Sequence, residues 1–400
     1  MIWTTWSSRG IQVLSVLLFI TGLLTHQFLI VTTAIFLLSG LILSHYLATQ
    51  AFRNLRIHTD PSHAILEIGE EIDLSLTIAN PLKVAAGVIQ LRQGIPYGLS
   101  CKENFIRTEF SLAQRQQARV RMTVQGKFRG RWVFAPMDFY QTDVLGWAQM
   151  TVQKTASIMV TVWPQRVGLP ENFWKSARRL GEMKGQWWDE PDPSLYRGIR
   201  SYQPGDSWRS VHPYASMRMN ELMVKEVDFT RAFQVEVICH PITNLESWYG
   251  IDRDQAEDCF TLAASAIESA LNQDYACGLT ISCPLPGFSH GTSMAPGTGP
   301  AVLADYLTDL AWAIPSGFLS ANLEGLMNQI IMRHGLPSLV IVVSPLWDSR
   351  VNPFLQQLAN QGSVTGWLTT SESRADYDLD IIWRWKKGRE IYAEYMARVI

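Results

Sequence analysis

Apolar and polar positions alternate with three different rhythms along this chain. From Gly10 to Ala51 there is no Asp, Glu, Lys or Arg. A membrane-crossing helix needs about 20 apolar residues, and this stretch is about twice that. It predicts two helices at 11–25 and 28–48, turning at Thr25-His26-Gln27, that form a transmembrane hairpin. The alternative is a signal peptide followed by one anchor, but no A-x-A-like cleavage site precedes the second run. Arg9 lies before the first helix, and Arg53 and Arg56 follow the second. The positive-inside rule therefore predicts a multi-pass protein of the inner (plasma) membrane, with both termini and the soluble domains in the cytoplasm.

Residues 57–164 switch to period two. Ile72, Leu74, Leu76 and Ile78 alternate in "IDLSLTIAN", Val120, Met122 and Val124 in "ARVRMTVQG", and Ile158, Val160 and Val162 in "SIMVTVW". Half-buried strands have this period, and two sheets of them predict an all-β sandwich. "GKFRGRWVFAP" reads as a bulged hairpin with solvated Arg129 and Arg131.

From about 232 strands and helices alternate. "AFQVEVICH", "ACGLTIS", "SLVIVVS", "VTGWLTT" and "DIIWRW" read as strands, and 253–272, 300–313 and "FLQQLANQG" as helices. That order predicts a mostly parallel, doubly wound (Rossmann-like) α/β sheet with ligands beyond the carboxyl ends of its strands. The first strand ends at Cys239-His240. The stretch 284–300, rich in Gly and Pro, reads as a long loop. The expected domains are 1–52, 53–164, a connector 165–231, and 232–400.

Composition narrows the function. The 400 residues carry a net charge of −2, which gives no basic face for nucleic acid. Cys101, Cys239, Cys259, Cys277 and Cys283 form no CxxC pair. That spacing suits neither a zinc site nor a disulfide framework, and it fits a reducing compartment. A transporter is excluded by two spans without intramembrane charge.

The connector holds the densest chemistry, "GIRSYQPGDSWRSVHPYAS" at 198–216. Gln203-Pro204-Gly205-Asp206 reads as a β-turn. Arg200 and Arg209 flank Asp206, and a bidentate arginine–carboxylate pair would fix this segment. Asp206 is expected to be a structural partner of Arg200, Arg209 or both. If the pair is buried, losing the acid would cost roughly 3–5 kcal/mol.

Arg200, Tyr202, Gly205, Asp206 and Arg209, followed by Glu221, Leu222, Val224, Lys225 and Glu226, resemble the core motif of the domain of unknown function 58 (DUF58) family. Pro204, His212 and Arg218 belong to the same stretch. Arg129-Gly130-Arg131-Trp132, Asp143 to Gly146 and Val162-Trp163-Pro164 resemble its other elements. Pro213 departs from the family's usual tryptophan. The resemblance implies a von Willebrand factor A-like C-terminal domain. It also implies an interaction or scaffold protein partnered with a MoxR-type AAA+ ATPase in the assembly or maturation of complexes. Many such domains bind Mg²⁺ through Asp-x-Ser-x-Ser after the first strand. Here Cys239, His240 and Thr243 stand in that place, so a degenerate site without metal is expected, and no cofactor. The rival is a hydrolytic enzyme using Cys239 and His240 as nucleophile and base. Adjacent strand residues face opposite ways, which argues against that pair.

Overall fold

The computed structural model describes residues 2–4, 6–101, 105–142, 148–155, 158–170, 173–175, 177, 191–204, 206–229, 233–244, 250–315, 323–334, 336–370, 375–385 and 392–394. The chain divides into two compact units, Met1–Gln165 and Arg166–Ile400.

The first unit begins with two helices, α1 (Trp6–Leu24) and α2 (Phe28–Arg53). His26 takes a φ of 53° in the turn between them. A Cβ on Gly22 would stand 2.8 Å from the Val31 side chain, so glycine permits this close approach.

The two helices do not form the expected transmembrane hairpin. Among the described residues no helix is long and apolar enough to cross a membrane. A helix must present about 20 consecutive apolar residues to span a hydrocarbon core of about 30 Å. The expectations of a chain embedded in the membrane by two helices, and of a multi-pass inner-membrane location with cytoplasmic domains, fall with it. The fold is instead a mixed α/β chain of several sheets with a β-rich region. Leu24, Phe28, Leu29 and Phe36 on these two helices remain strongly exposed.

The strands of this unit are β1 (Ile2–Thr4), β2 (Arg56–Asp60), β3 (His63–Leu66), β4 (Glu71–Ala79), β5 (Gly87–Gly94), β6 (Leu99–Ser100), β7 (Phe105–Leu112), β8 (Gln117–Gly126), β9 (Gly130–Val133), β10 (Met137–Thr142), β11 (Ala148–Lys154) and β12 (Met159–Val162). They form sheets in the orders β1-β11-β10-β5-β7, β2-β4-β8-β6 and β3-β12-β9. Leu74, Leu76 and Ile78 of β4 meet Val120 and Val124 of β8, Ile89 of β5, Phe139 of β10 and Val160 of β12 in one core. Period two produces this, because alternate side chains reach one face. Arg129 is buried rather than solvated, whereas Arg131 is exposed. The Trp132 indole lies where a Cβ on Gly98 would stand, and its Nε1 donates to the Phe128 carbonyl at 2.9 Å. The Asp143 to Gly146 element lies outside the described residues.

In the second unit, β13 (Pro191–Ser201) and β14 (Met223–Phe229) form an antiparallel ribbon. The remaining strands are β15 (Gln234–Cys239), β16 (Ala276–Ile281), β17 (Thr292–Gly297), β18 (Leu339–Val343), β19 (Val364–Thr369), β20 (Ile381–Arg384) and β21 (Tyr392–Glu394). They form one sheet in the order β17-β16-β15-β18-β19-β20-β21. β16, β15, β18, β19 and β20 run parallel, while β17 and β21 are antiparallel edges. The helices are α3 (Pro213–Met219), α4 (Arg253–Leu271), α5 (Pro300–Trp312), α6 (Leu323–His334) and α7 (Asn352–Asn360).

Ile238, Val340, Val342 and Trp367 pack with Met327, Ile330, Phe354 and Leu355 of α6 and α7. Cys239, one residue on, faces Cys259 of α4 with the sulfurs 3.9 Å apart. Successive residues on a strand point to opposite faces, so helices cover the sheet on both sides. The stretch 284–300 is not a plain loop. A Leu285–Phe288 bridge closes a tight turn, and β17 follows.

Candidate functional site

Two clusters carry chemistry in the second unit. The first is the excursion from the β13–β14 ribbon, residues 202–222. Its base is closed by Ser201 opposite Met223 and by the Tyr202 N–H donating to the Leu222 carbonyl at 2.8 Å. Arg200 on β13 donates through both terminal nitrogens to the two Asp206 oxygens, each at 2.7 Å. The Gln203 N–H adds a third bond to Asp206 at 2.8 Å. The Arg200 bonds, and then the Gln203 amide, pull the Asp206 carboxyl down to about 2. Asp206 is therefore an anion near neutrality and has no proton to give.

Among the described residues Asp206 pairs with Arg200, not Arg209. Arg209 is exposed, and its N–H meets the Ser207 hydroxyl. The side chains of Arg200 and Asp206 are 38% and 18% exposed. The cost worked out for a buried pair therefore does not apply, because water screens this one.

The rest of the excursion is pinned by hydrogen bonds. His212 caps α3, its Nδ1 accepting from the Ala215 N–H at 3.1 Å. Pro213 takes the first helical position, where its missing N–H costs nothing and its φ is preset. The His212 N–H and the Ser216 hydroxyl tie α3 to Met223. Asn220, in the left-handed region at φ 55°, ends the helix.

This frame leaves apolar groups outside. Trp208 is 71% exposed, Tyr214 85% and Met217 83%, with Met219 and Leu222 also exposed. The Tyr202 ring stacks beside Trp208 at 5.8 Å. Pro204, Arg218, Glu221 and Lys225 are exposed. Gly205 and the side chain of Glu226 lie outside the described residues.

The second cluster lies beyond the carboxyl ends of β15, β16 and β18. β15 has β16 on one side and β18 on the other, so the strand order reverses here, where ligands of such sheets bind. Cys239, His240 and Thr243, named above as a degenerate site without metal, have separate partners here. Cys239 faces α4, and the Thr243 hydroxyl accepts from the Asp252 N–H at 3.0 Å. Among the described residues no group of three or more His, Cys, Asp or Glu could hold a metal ion.

His240 instead meets two residues that the sequence reading missed. Its Nδ1 lies 2.6 Å from Ser282 Oγ and its Nε2 3.2 Å from Asp348 Oδ2. All three are buried. Arg350 donates from Nε at 3.0 Å and from a terminal nitrogen at 2.6 Å to Asp348. Burial pushes the Asp348 carboxyl up, but the bonds from His240 and Arg350 win and hold it well below the usual carboxylate range. An ionised Asp348 can only accept, so His240 Nε2 donates to it. Their signal in the sequence was position: each of the three follows the end of a strand in the parallel sheet.

No protein-family model matches the chain, nor does any curated protein sequence. Among solved structures it is similar to a non-cellulosomal cohesin from the hyperthermophilic archaeon Archaeoglobus fulgidus. That match has 16% identity and a TM-score of 0.19, over 25% of this chain and 85% of the cohesin. It is also similar to the CARDB domain of the PF1109 protein from Pyrococcus furiosus, at 8% identity and a TM-score of 0.18, over 27% of this chain and 93% of that one. A beta-glucosidase from Listeria innocua matches at 13% identity and a TM-score of 0.16, over 27% of this chain and 16% of that one. Likenesses this weak carry no functional argument, and they place the chain in no family.

Proposed function

We propose that this chain is a protein-interaction module whose contact surface is the apex of the braced excursion, 202–222. The observation that carries this reading is the exposure of Trp208, Tyr214 and Met217 on a backbone pinned by Asp206, His212 and Ser216. Aromatic and methionine side chains are enriched at interfaces, and a pre-ordered surface loses less entropy on binding. The resemblance to DUF58 adds the expectation that the partner is a MoxR-type AAA+ ATPase and that the pair assembles or matures other complexes.

A photo-crosslinking residue placed at Tyr214 in cells tests this. It should give one discrete protein adduct that the same residue at exposed Val133 does not. Identical adducts from both positions would contradict it.

The Ser282–His240–Asp348 relay favours a second reading, hydrolysis, now moved from Cys239 to Ser282. Its order, serine to histidine to carboxylate, is that of an activated serine nucleophile, but all three side chains are buried. A fluorophosphonate probe that labels Ser282, and does not label it after His240→Ala, would establish that reading. An unlabelled native chain would end it.

A further inference from the structure

We infer that the partner presents an acidic, amphipathic segment to the 202–222 apex, an inference that rests on the contact surface proposed above. The apex exposes the apolar side chains of Trp208, Tyr214 and Met217 and, close to them in sequence, a set of cations that form its positive rim. Tyr214, Met217 and Arg218 fall at i, i+3 and i+4 on α3 and share one face. Trp208 and Arg209 adjoin it in sequence, and Lys225 sits opposite Ile199 on the ribbon below. Asp206 supplies no free negative charge, because Arg200 neutralises it. Within the excursion 202–222 the remaining exposed charges among the described residues are Arg209 and Arg218 against Glu221, and Lys225 is exposed on the ribbon below. None of the three cations enters an ion pair among the described residues. The apex is thus locally positive on a chain whose net charge is −2.

This combination selects among occupants. A polyanion without apolar groups would leave Trp208, Tyr214 and Met217 in water. A second copy in a two-fold contact would set the same cations against themselves. An amphipathic segment with acidic flanks satisfies both parts. Its apolar face covers the aromatic and methionine side chains, and its carboxylates meet the rim. Rim charges act mainly on encounter and specificity, so the preference weakens as salt rises.

The test uses the full chain and three helical peptides that share one Leu/Phe face. The opposite face carries Glu in the first, Gln in the second and Lys in the third. Tryptophan fluorescence titration should show saturable binding of the Glu peptide, about tenfold weaker binding of the Gln peptide, and none of the Lys peptide. Arg209→Glu combined with Arg218→Glu should reverse the order while the melting temperature stays unchanged, since both side chains are exposed.

Equal affinity for the Glu and Gln peptides, lost for both on Trp208→Ala, would overturn the acidic partner and leave the contact surface standing. Binding that Trp208→Ala does not change would remove both. Dimerisation lost on Trp208→Ala would assign the apex to a second copy and overturn the inference, as would binding of none of the peptides.

Discussion

Glu236 should give the fold a pH dependence of its own. It lies on β15 with no exposed surface, and one oxygen accepts from the Thr280 hydroxyl at 2.7 Å. The other oxygen has no hydrogen-bond partner among the described residues. Gly278 on the adjacent strand leaves room for the carboxyl, which occupies the space a Cβ there would need. Burial raises the acid from 4.5 to about 8, against a smaller lowering by Thr280. The folded chain therefore holds a proton here that the unfolded chain has lost. The stabilisation is complete below about pH 4.5, falls as pH rises, and is gone once pH passes about 8. A shift of this size corresponds to roughly 5 kcal/mol across that window.

Glu236→Gln keeps the shape and cannot ionise. Its amide nitrogen replaces the unpartnered oxygen, at a cost of about 1–3 kcal/mol that does not depend on pH. Denaturant unfolding of both proteins from about pH 5 to about pH 9 should therefore give curves that cross. The native chain should be more stable in acid, and the variant more stable in base by roughly 2–4 kcal/mol. Because all other groups are shared, the difference between the curves isolates this one. Parallel curves would show that Glu236 is ionised when folded, and the reasoning would fail.

Two further substitutions probe the frame. Gly366→Ala would drive a Cβ into the buried Trp383 indole on the neighbouring strand. It should cost about 1–3 kcal/mol by overpacking, read as a lower denaturation midpoint. His212→Ala removes the cap of α3 and should cost about 1 kcal/mol, with faster amide exchange at Ala215 as its local signature.

The sequence showed what periodicity can show. Leu74, Leu76 and Ile78, or the apolar run of β18, have one simple burial pattern each, and local spacing reveals it. β17 escaped because it is an edge strand. Its residues are mostly half-buried, so no alternation marks it, and Pro296 is tolerated there because an edge need not donate from every residue. The Arg200–Asp206 pair was legible because a six-residue separation brings the groups together across a turn. Its partial exposure was not, since burial depends on what packs over the turn. The meeting of His240 with Ser282 and Asp348 was hidden because 42 and 108 residues separate them. Only the strand order brings them together. The membrane expectation rested on composition alone, and the absence of charge over 10–51 does not determine how a segment is used.

The central claim is that Arg200 and Asp206 hold the apex in place while Trp208 and Tyr214 make the contact. Measuring melting temperature and partner binding on the same purified variants separates the two roles. Trp208→Ala and Tyr214→Ala should abolish binding and leave the melting temperature unchanged, because neither side chain is packed inside the fold. Asp206→Ala should lower the melting temperature and weaken binding only to the extent that the apex loosens. Arg200→Ala should match it, and the double change should cost less than the sum, since the two share one interaction. If Asp206→Ala leaves the melting temperature untouched and abolishes binding, the pair is itself the contact, and the account is wrong.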